Sequence, residues 1–453
     1  MSPIQNFQSI ALIHNIDIPH PLTFSEFGEP ITLFGEGPAD RRDRLKRLLS
    51  KMEVEGIDVS SLAVPSSAVN TAPAKAEHFF TEGTASLHAA RMYISRYSLL
   101  RAKARLEASK RNREVSSAPA PPSDGDDAPF PADYVSTEAR AHADLANALK
   151  TFNATSSQIG DARPLSGCAL SPCATIALTP SWGGSCIGWA LPDCKEKIKL
   201  LGHRERCCDA KFNPLFSRPA EEAENVATIA TCGADQTVRL WSLSRDTPLA
   251  TLTGHTDRVN RVAFHPSGRF LASAGFDLSW RLWDIENCKE ILLQEGHSRA
   301  VYNVALQCDG ALAATVGLDA YVRVWDLRTG RNIATLDGHN KQVLAVDWST
   351  DGFHFATAGE DNQVKLWDMR KRKAVYTIPA HSSLISSIKF IGNGDFLVTG
   401  SYDSTIKIWD GLDMSPVHTL HGHENKIMGL DVSADCKSII SASFDRTWKL
   451  WGL

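Results

Sequence analysis

The sequence has no large excess of charge of either sign, no C-x-x-C motif and no long apolar run. Its 453 residues carry 48 Lys+Arg against 52 Asp+Glu, a formal net charge of −4. That balance excludes bulk attraction to a polyanion, so any nucleic-acid contact has to come from a local patch. The ten cysteines include the adjacent Cys207 and Cys208 but no C-x-x-C. A disulfide scaffold would be shorter and denser in cysteine, so these read as the reduced thiols of an intracellular protein. No apolar run reaches the roughly 18 residues of a membrane span, and no membrane contact is expected. The first 21 residues lack a basic stretch, and His14, Asn15 and Asp17 interrupt their apolar residues, which argues against a secretory leader. At roughly 150 residues per domain the length suggests about three domains. The content, 43% hydrophobic and 22% charged, is that of a globular chain.

What is present is a period. Trp241, Trp283, Trp325, Trp367, Trp409 and Trp451 lie 42 residues apart, as do Asp235, Asp277, Asp319, Asp361, Asp403 and Asp445. His255, His297, His339, His381 and His423 keep the same interval, and so does the series Thr231, Ser273, Thr315, Thr357, Thr399 and Ser441. His203 precedes His255 by 52, which places a ten-residue insertion in that unit. Within a unit, short β-like runs such as Val262–Phe264, Phe270–Ala274 and Trp280–Trp283 alternate with turn residues, four runs per unit. Four residue classes held in phase at this period, with Gly-His and Trp-Asp marks, resemble the WD repeat of β-propellers.

A seventh, degenerate unit precedes these six. Trp189 lies 52 before Trp241, and Thr179 lies ten before Trp189, but Gly183 stands at the Asp position and no Gly-His is present. The two polar partners are expected to be missing together, because a buried network stabilises only when every member is satisfied. The fold class expected is therefore all-β, a seven-bladed WD-repeat β-propeller over residues 152–453, preceded by a small, mostly α-helical N-terminal region. Trp451-Gly452-Leu453 leaves nothing for the outer strand of the last blade, so residues near 152–159 should close the ring.

The repeated polar residues suit tight turns between buried strands. The WD resemblance implies hydrogen-bonded sets such as His255, Ser273, Asp277 and Trp283, or His339, Thr357, Asp361 and Trp367. One histidine per blade disfavours metal ligation and acid–base chemistry, and no catalytic residue, metal or cofactor is expected. No off-period cluster of acids or histidines is evident for the channel. The residues before each turn Asp, including Phe276, Leu318, Tyr402 and Phe444, should lie near one rim, either as a docking patch or packed into neighbouring blades. A basic series two residues before each Trp (Arg239, Arg281, Arg323, Lys365, Lys407 and Lys449) reads as side chains lying along the sheet rather than an RNA track.

The first 114 residues do not repeat. Residues 39–52 read as a helix with Leu45, Leu48, Leu49 and Met52 on one face and a basic remainder that includes Arg41, Arg42, Arg44, Lys46 and Arg47. Gly35 and Gly37 are followed by neither G-x-G-x-x-G nor Gly-Lys-Ser/Thr, and no small-molecule substrate is implied. A second helix is expected from about Thr84 to Glu114, with Ala89, Tyr93, Tyr97, Leu100 and Ala104 as its core stripe. Its charges, including Arg91, Arg96, Arg101, Lys103 and Arg105, suit RNA or an acidic partner if they are not merely solvated. Residues 115–136, rich in Pro and Asp, read as a mobile tether, and residues 137–151 as a lead-in helix.

Several segments resemble one splicing-factor family. Glu29–Glu36 with Arg41-Arg42-Asp43-Arg44-Leu45 is similar to the small motif at the front of certain pre-mRNA splicing factors, here residues 22–55. Phe80–Gly83, Ala90-Arg91, Tyr97–Ala102 and Arg105–Glu107 resemble the next segment, 75–114. Ser157–Asp161 with Arg163-Pro164, and Tyr376–His381, also fit. With seven blades, this resembles the pre-mRNA-processing factor four family, WD-repeat subunits of the U4/U6 small nuclear ribonucleoprotein. The resemblance implies a nuclear, non-enzymatic scaffold of the spliceosome. Its implied partners are U4/U6 proteins, U4/U6 snRNA contacted directly or indirectly, and a cyclophilin-type subunit. A generic WD adaptor, such as a ubiquitin-ligase substrate receptor, would use the same rim without needing residues 28–52.

Overall fold

Strands that alternate short apolar runs with turns must cover both faces, and a ring of blades does this by packing each sheet between two others. The computed structural model describes residues 84–117, 137–216, 226–392 and 394–452, with Arg44 and Arg47 besides. Two units are distinct, Met1–Thr81 and Glu82–Leu453. Of the first, only Arg44 and Arg47 are described, and both are helical. The remaining expectations for residues 22–55, including Arg41, Arg42 and Lys46, lie outside the described residues; of the tether expected at 115–136, residues 115–117 continue the preceding helix and the rest lies outside the described residues.

The second unit carries seven four-stranded antiparallel sheets. Blade 1 runs from Ala169 to Leu201, blade 2 from Cys207 to Leu252 and blade 3 from Val259 to Glu295. Blades 4, 5 and 6 span Val301–Leu336, Val343–Pro379 and Ile385–His421. Blade 7 takes three strands from Ile427–Gly452 and its outer strand from Asn153–Ile159, which pairs with Thr447–Gly452 in register Asn153↔Gly452 to Ile159↔Thr447. The ring therefore closes by hydrogen bonds between segments nearly 300 positions apart, and Thr447–Gly452 is paired along both of its edges. The ten-residue insertion falls between the first two strands of blade 2, Cys207–Phe212 and Ile229–Gly233.

Two helices dock on this ring. α1 (Ala85–Ser117) buries Ala90 and Ile94 in a cluster with Phe270, Ile291 and Trp325 of blades 3 and 4. Full burial of an isoleucine is worth roughly 1.5–3 kcal/mol. Tyr93 meets Phe270 edge-on at 5.7 Å, and Tyr97 tilts against His265 at 5.5 Å. α2 (Thr137–Lys150) buries Leu149, followed by Phe152, among Ile391, Phe396 and Trp451. His142 stacks on Phe396 at 4.7 Å.

The expected core stripe of α1 is corrected by this packing. Ala89, Leu100 and Ala104 are exposed, Leu100 at 73%, while the ring side carries Ala90, Ile94 and Ser98. Tyr93 and Tyr97 flank that face. Counting apolar residues favoured the wrong side because the ring accepts small and polar groups there, Ser98 among them, and Arg105 as an ion pair.

His265, under α1, is buried. Burial, together with the nearby Arg101 charge, lowers its pKa to about 4, although its bond to the Gly310 carbonyl works the other way. A histidine held neutral in the fold loses stability as pH falls from the unfolded value near 6.5 toward 4, because the unfolded chain takes the proton first. The expected loss is about 3 kcal/mol over that window. Denaturant unfolding of wild type between pH 7 and 4 should show the slope, and His265→Gln should flatten it.

Candidate functional site

In six blades the turn Asp, the Gly-His histidine, the strand Ser/Thr and the Trp form one chain. In blade 3, His255 Nδ1 lies 2.8 Å from Asp277 Oδ2 and Nε2 lies 2.7 Å from Ser273 Oγ. Trp283 Nε1 donates to the same Ser273 Oγ at 2.8 Å. Since a carboxylate only accepts, Nδ1–H donates to Asp277, Nε2 accepts from the serine hydroxyl, and the serine accepts from the indole. Every donor has an acceptor. Blade 5 repeats this with His339, Asp361, Thr357 and Trp367 at 2.7 Å throughout. Burial would raise the Asp277 carboxyl, but the hydrogen bonds it accepts from His255, Ser279 and the Thr256 N–H hold it well below the usual range. Asp235, Asp319, Asp361, Asp403 and Asp445 shift in the same direction. Such sets are turn-fixing devices. Among the described residues no group of three or more His, Cys, Asp or Glu could hold a metal ion.

Blade 1 corrects one expectation. Its histidine is absent and Trp189 Nε1 still donates to Thr179 Oγ1 at 2.8 Å, but the carboxylate is not lost with the histidine. Asp161, just past the closing strand, accepts from Ser185 Oγ at 2.7 Å and from Ser181 Oγ. The side chain reaches the space beside Gly183, where a turn Asp would sit in the other blades. The ring closure thus supplies from outside the blade the group that the blade lacks.

The inner strands carry a further set of charged residues. Asp209, Asp347 and Asp431 point from the inner strands, and each carboxylate accepts the backbone N–H of the next blade: Val262 at 3.4 Å, Phe390 at 3.0 Å and Leu170 at 2.8 Å. Arg261 pairs with Asp209 at 3.2 Å and reaches across to the Met428 carbonyl at 3.3 Å, while Lys389 pairs with Asp347 at 3.1 Å. The acids are inter-blade latches. Asp347 and Asp431 keep the repeat's own period, with Lys389 between them at steps of 42, so the arithmetic that found the tryptophans could have found these two; Asp209 sits two positions earlier in its unit, at the place Arg261 holds in the next.

At the rim, Phe276, Leu318, Tyr402 and Phe444 are all half-buried. Each backbone N–H is tied to the loop before the inner strand, for example Phe276 to the Arg258 carbonyl at 2.9 Å and Phe444 to Lys426 at 2.8 Å. Phe276 packs edge-on against Tyr302 of blade 4, and Phe444 against the exposed Trp182 of blade 1 at 5.3 Å. Cations cover these rings: Arg258 over Phe276 at 3.6 Å, Lys426 over Tyr402 at 4.9 Å and Arg206 over Trp182 at 5.5 Å. The rim is both inter-blade packing and a basic, aromatic surface. Trp182 stands one before Gly183, as Phe276 stands one before Asp277, so the rim series extended to blade 1 includes it.

The basic residues of α1 divide. Arg105 is held: its guanidinium bonds both Asp309 oxygens, at 3.3 and 2.9 Å from Nε, reaches the Asp351 carbonyl at 2.5 Å, and lies 4.4 Å over Phe353. It locks α1 onto blades 4 and 5 and is no surface for RNA. Arg91 is half-buried, whereas Arg96, Arg101 and Lys103 are exposed. In the other basic helix, Arg44 is half-buried and Arg47 exposed. The series two before each Trp is engaged internally, as in Lys365 to Thr377 at 3.2 Å and Lys449 to Ser157 at 3.0 Å.

Six copies of the family model described as WD domain, G-beta repeat match residues 194–242, 246–284, 288–326, 330–368, 372–410 and 414–452. The chain belongs to the WD-repeat family. Each matched repeat starts in the outer strand of one blade and ends in the third strand of the next, so repeats straddle blades and lock them together. Ahead of the ring this WD-repeat chain carries a second match, to pre-mRNA processing factor 4 (PRP4) like, over residues 26–48. It is 44% identical over 187 residues to the U4/U6 small nuclear ribonucleoprotein Prp4 of Homo sapiens, covering 41% of this chain and 32% of that protein. It is 43% identical over 221 residues to the PRP4-like protein of Arabidopsis thaliana, covering 47% and 35%. An uncharacterized WD repeat-containing protein of Schizosaccharomyces pombe is 39% identical over 250 residues, covering 54% and 48%. The matches span less than half the length of each of these relatives.

Proposed function

We propose that this chain is a non-enzymatic scaffold subunit of the U4/U6 small nuclear ribonucleoprotein, acting in pre-mRNA splicing in the nucleus. The observation that carries the reading is the PRP4-like segment at residues 26–48 ahead of a WD-repeat ring, together with 44% identity over 187 residues to the human Prp4. A rigid ring with its polar sets turned inward suits docking rather than chemistry. Phe276, Leu318, Tyr402 and Phe444, with the cations beside them, are the proposed rim for protein partners, since aromatic and arginine anchors dominate such surfaces. Arg41, Arg42, Arg44, Lys46 and Arg47 are the proposed contacts to snRNA or to a second U4/U6 protein, with a cyclophilin-type subunit among the partners. Arg105 leaves that set because its charge is spent on Asp309.

Charge reversal at Arg41, Arg42 and Arg44 together should lower association with a U4/U6 RNA duplex by about ten-fold or more, since each lost phosphate contact weakens binding. The melting temperature of the ring should not change, as these residues belong to the other unit. Unchanged RNA association in a filter-binding titration at fixed salt would remove the helix from the interface.

A further inference from the structure

α1 is basic and docked by one side, which leaves a second side to account for. Opposite Ala90, Ile94, Ser98 and Arg105 runs a line of exposed residues: Met92, Arg96, Leu99, Lys103, Leu106 and Lys110. Their spacings are 4, 3, 4, 3 and 4. At 3.6 residues per turn this is the narrow stripe of a coiled-coil seam, with an apolar side chain at every second position and a base between. Met92 is 45% exposed, Leu99 60% and Leu106 46%, and the adjacent Leu100 is 73% exposed. Leucines this open, on a helix already anchored by its other face, are left uncovered by the described residues of the ring.

We propose that this outward seam of α1 docks one acidic amphipathic helix of a partner protein. Charge decides the partner's chemistry. Between Thr84 and Arg111 the helix holds seven Arg and Lys but a single acid, Glu107, whose one ion pair is with Lys103 at a loose 4.0 Å. A facing helix with leucine at its own apolar seam positions and glutamate at the flanking ones would bury Met92, Leu99 and Leu106 and neutralise Arg96, Lys103 and Lys110 together. Single-stranded RNA fits less well. It would use the bases but gains from stacking on aromatic rings, and the rings of this helix, Tyr93 and Tyr97, lie against Phe270 and His265 instead. The seam thus gives α1 a protein-binding role within the scaffold reading and leaves RNA to residues 41–47.

The test uses the full chain and three fluorescent probes: a four-heptad peptide with leucine at every d position and glutamate at a, e and g; the same peptide with lysine replacing glutamate; and a uridine 12-mer. Anisotropy titration should show saturable binding of the acidic peptide alone. Leu99→Glu with Leu106→Glu should weaken it by about ten-fold or more at unchanged melting temperature. Arg96→Glu with Lys103→Glu and Lys110→Glu should transfer binding to the lysine peptide. Equal binding of both peptides, no acidic-peptide binding up to about 100 μM, or uridine binding that the leucine substitutions abolish would overturn the proposal. None of these outcomes depends on snRNP membership, which is read separately from recovered RNA.

Discussion

A chain lacking residues 1–161 should fail to unfold cooperatively, whereas one lacking only residues 1–136 should keep a single thermal transition. The two deletions differ by α2, Phe152, the closing strand Asn153–Ile159 and Asp161. Without the closing strand, Thr447–Gly452 becomes a free edge and Trp451, only 2% exposed in the ring, loses cover. Blade 1 also loses the carboxylate that fixes its Ser181–Ser185 turn. A blade cannot bury its faces alone, and the total stability of a domain is about 5–15 kcal/mol, so an open ring has little left. The shorter deletion removes α1 and lowers the melting temperature, but the closure remains. Circular dichroism melts and size-exclusion elution read the difference. A cooperative transition in the 1–161 deletion would mean that the ring does not depend on its closure.

The second large effect lies in the buried turn sets. Asp361→Ala should cost about 2–6 kcal/mol in denaturant unfolding, because each buried donor left unpaired costs about 1–3 kcal/mol and the change strands two, the first being the Nδ1–H of His339, whose side chain is fully buried. It also frees the Gln363 N–H that Asp361 holds at 3.3 Å. Trp367→Phe removes one indole donor to Thr357, keeps the apolar bulk, and should cost about 1–3 kcal/mol. The order matters more than the values. A network built for stability ranks the aspartate above the indole nitrogen. Were the histidines reactive groups, both variants would leave stability almost untouched.

The ring was legible in the sequence because its turns repeat the same buried hydrogen bonds, and a repeated physical need leaves a repeated residue. Blade number, the donated outer strand and the place of the ten-residue insertion all follow from that period. Features off the period were not legible. Asp161 serves blade 1 from a segment more than twenty residues away, and nothing in its neighbours marks it as a substitute for the Asp missing at Gly183. The docked face of α1 was read from its apolar residues, yet the ring accepts Ser98 and pairs Arg105 with Asp309, 204 residues away. Leu100, the leucine of that expected stripe, is left outside. Trp182, by contrast, is on the period, one before Gly183 and 52 before Ala234, and the rim series carried back one blade reaches it.

The measurement that bears most directly on the account is purification of the tagged full chain from cells of its source organism under mild salt, followed by sequencing of the small RNAs that come with it. The account predicts U4 and U6 together, above other small RNAs, with recovery reduced by charge reversal at Arg41, Arg42 and Arg44. Recovery of ubiquitin-ligase subunits without any small RNA would contradict it.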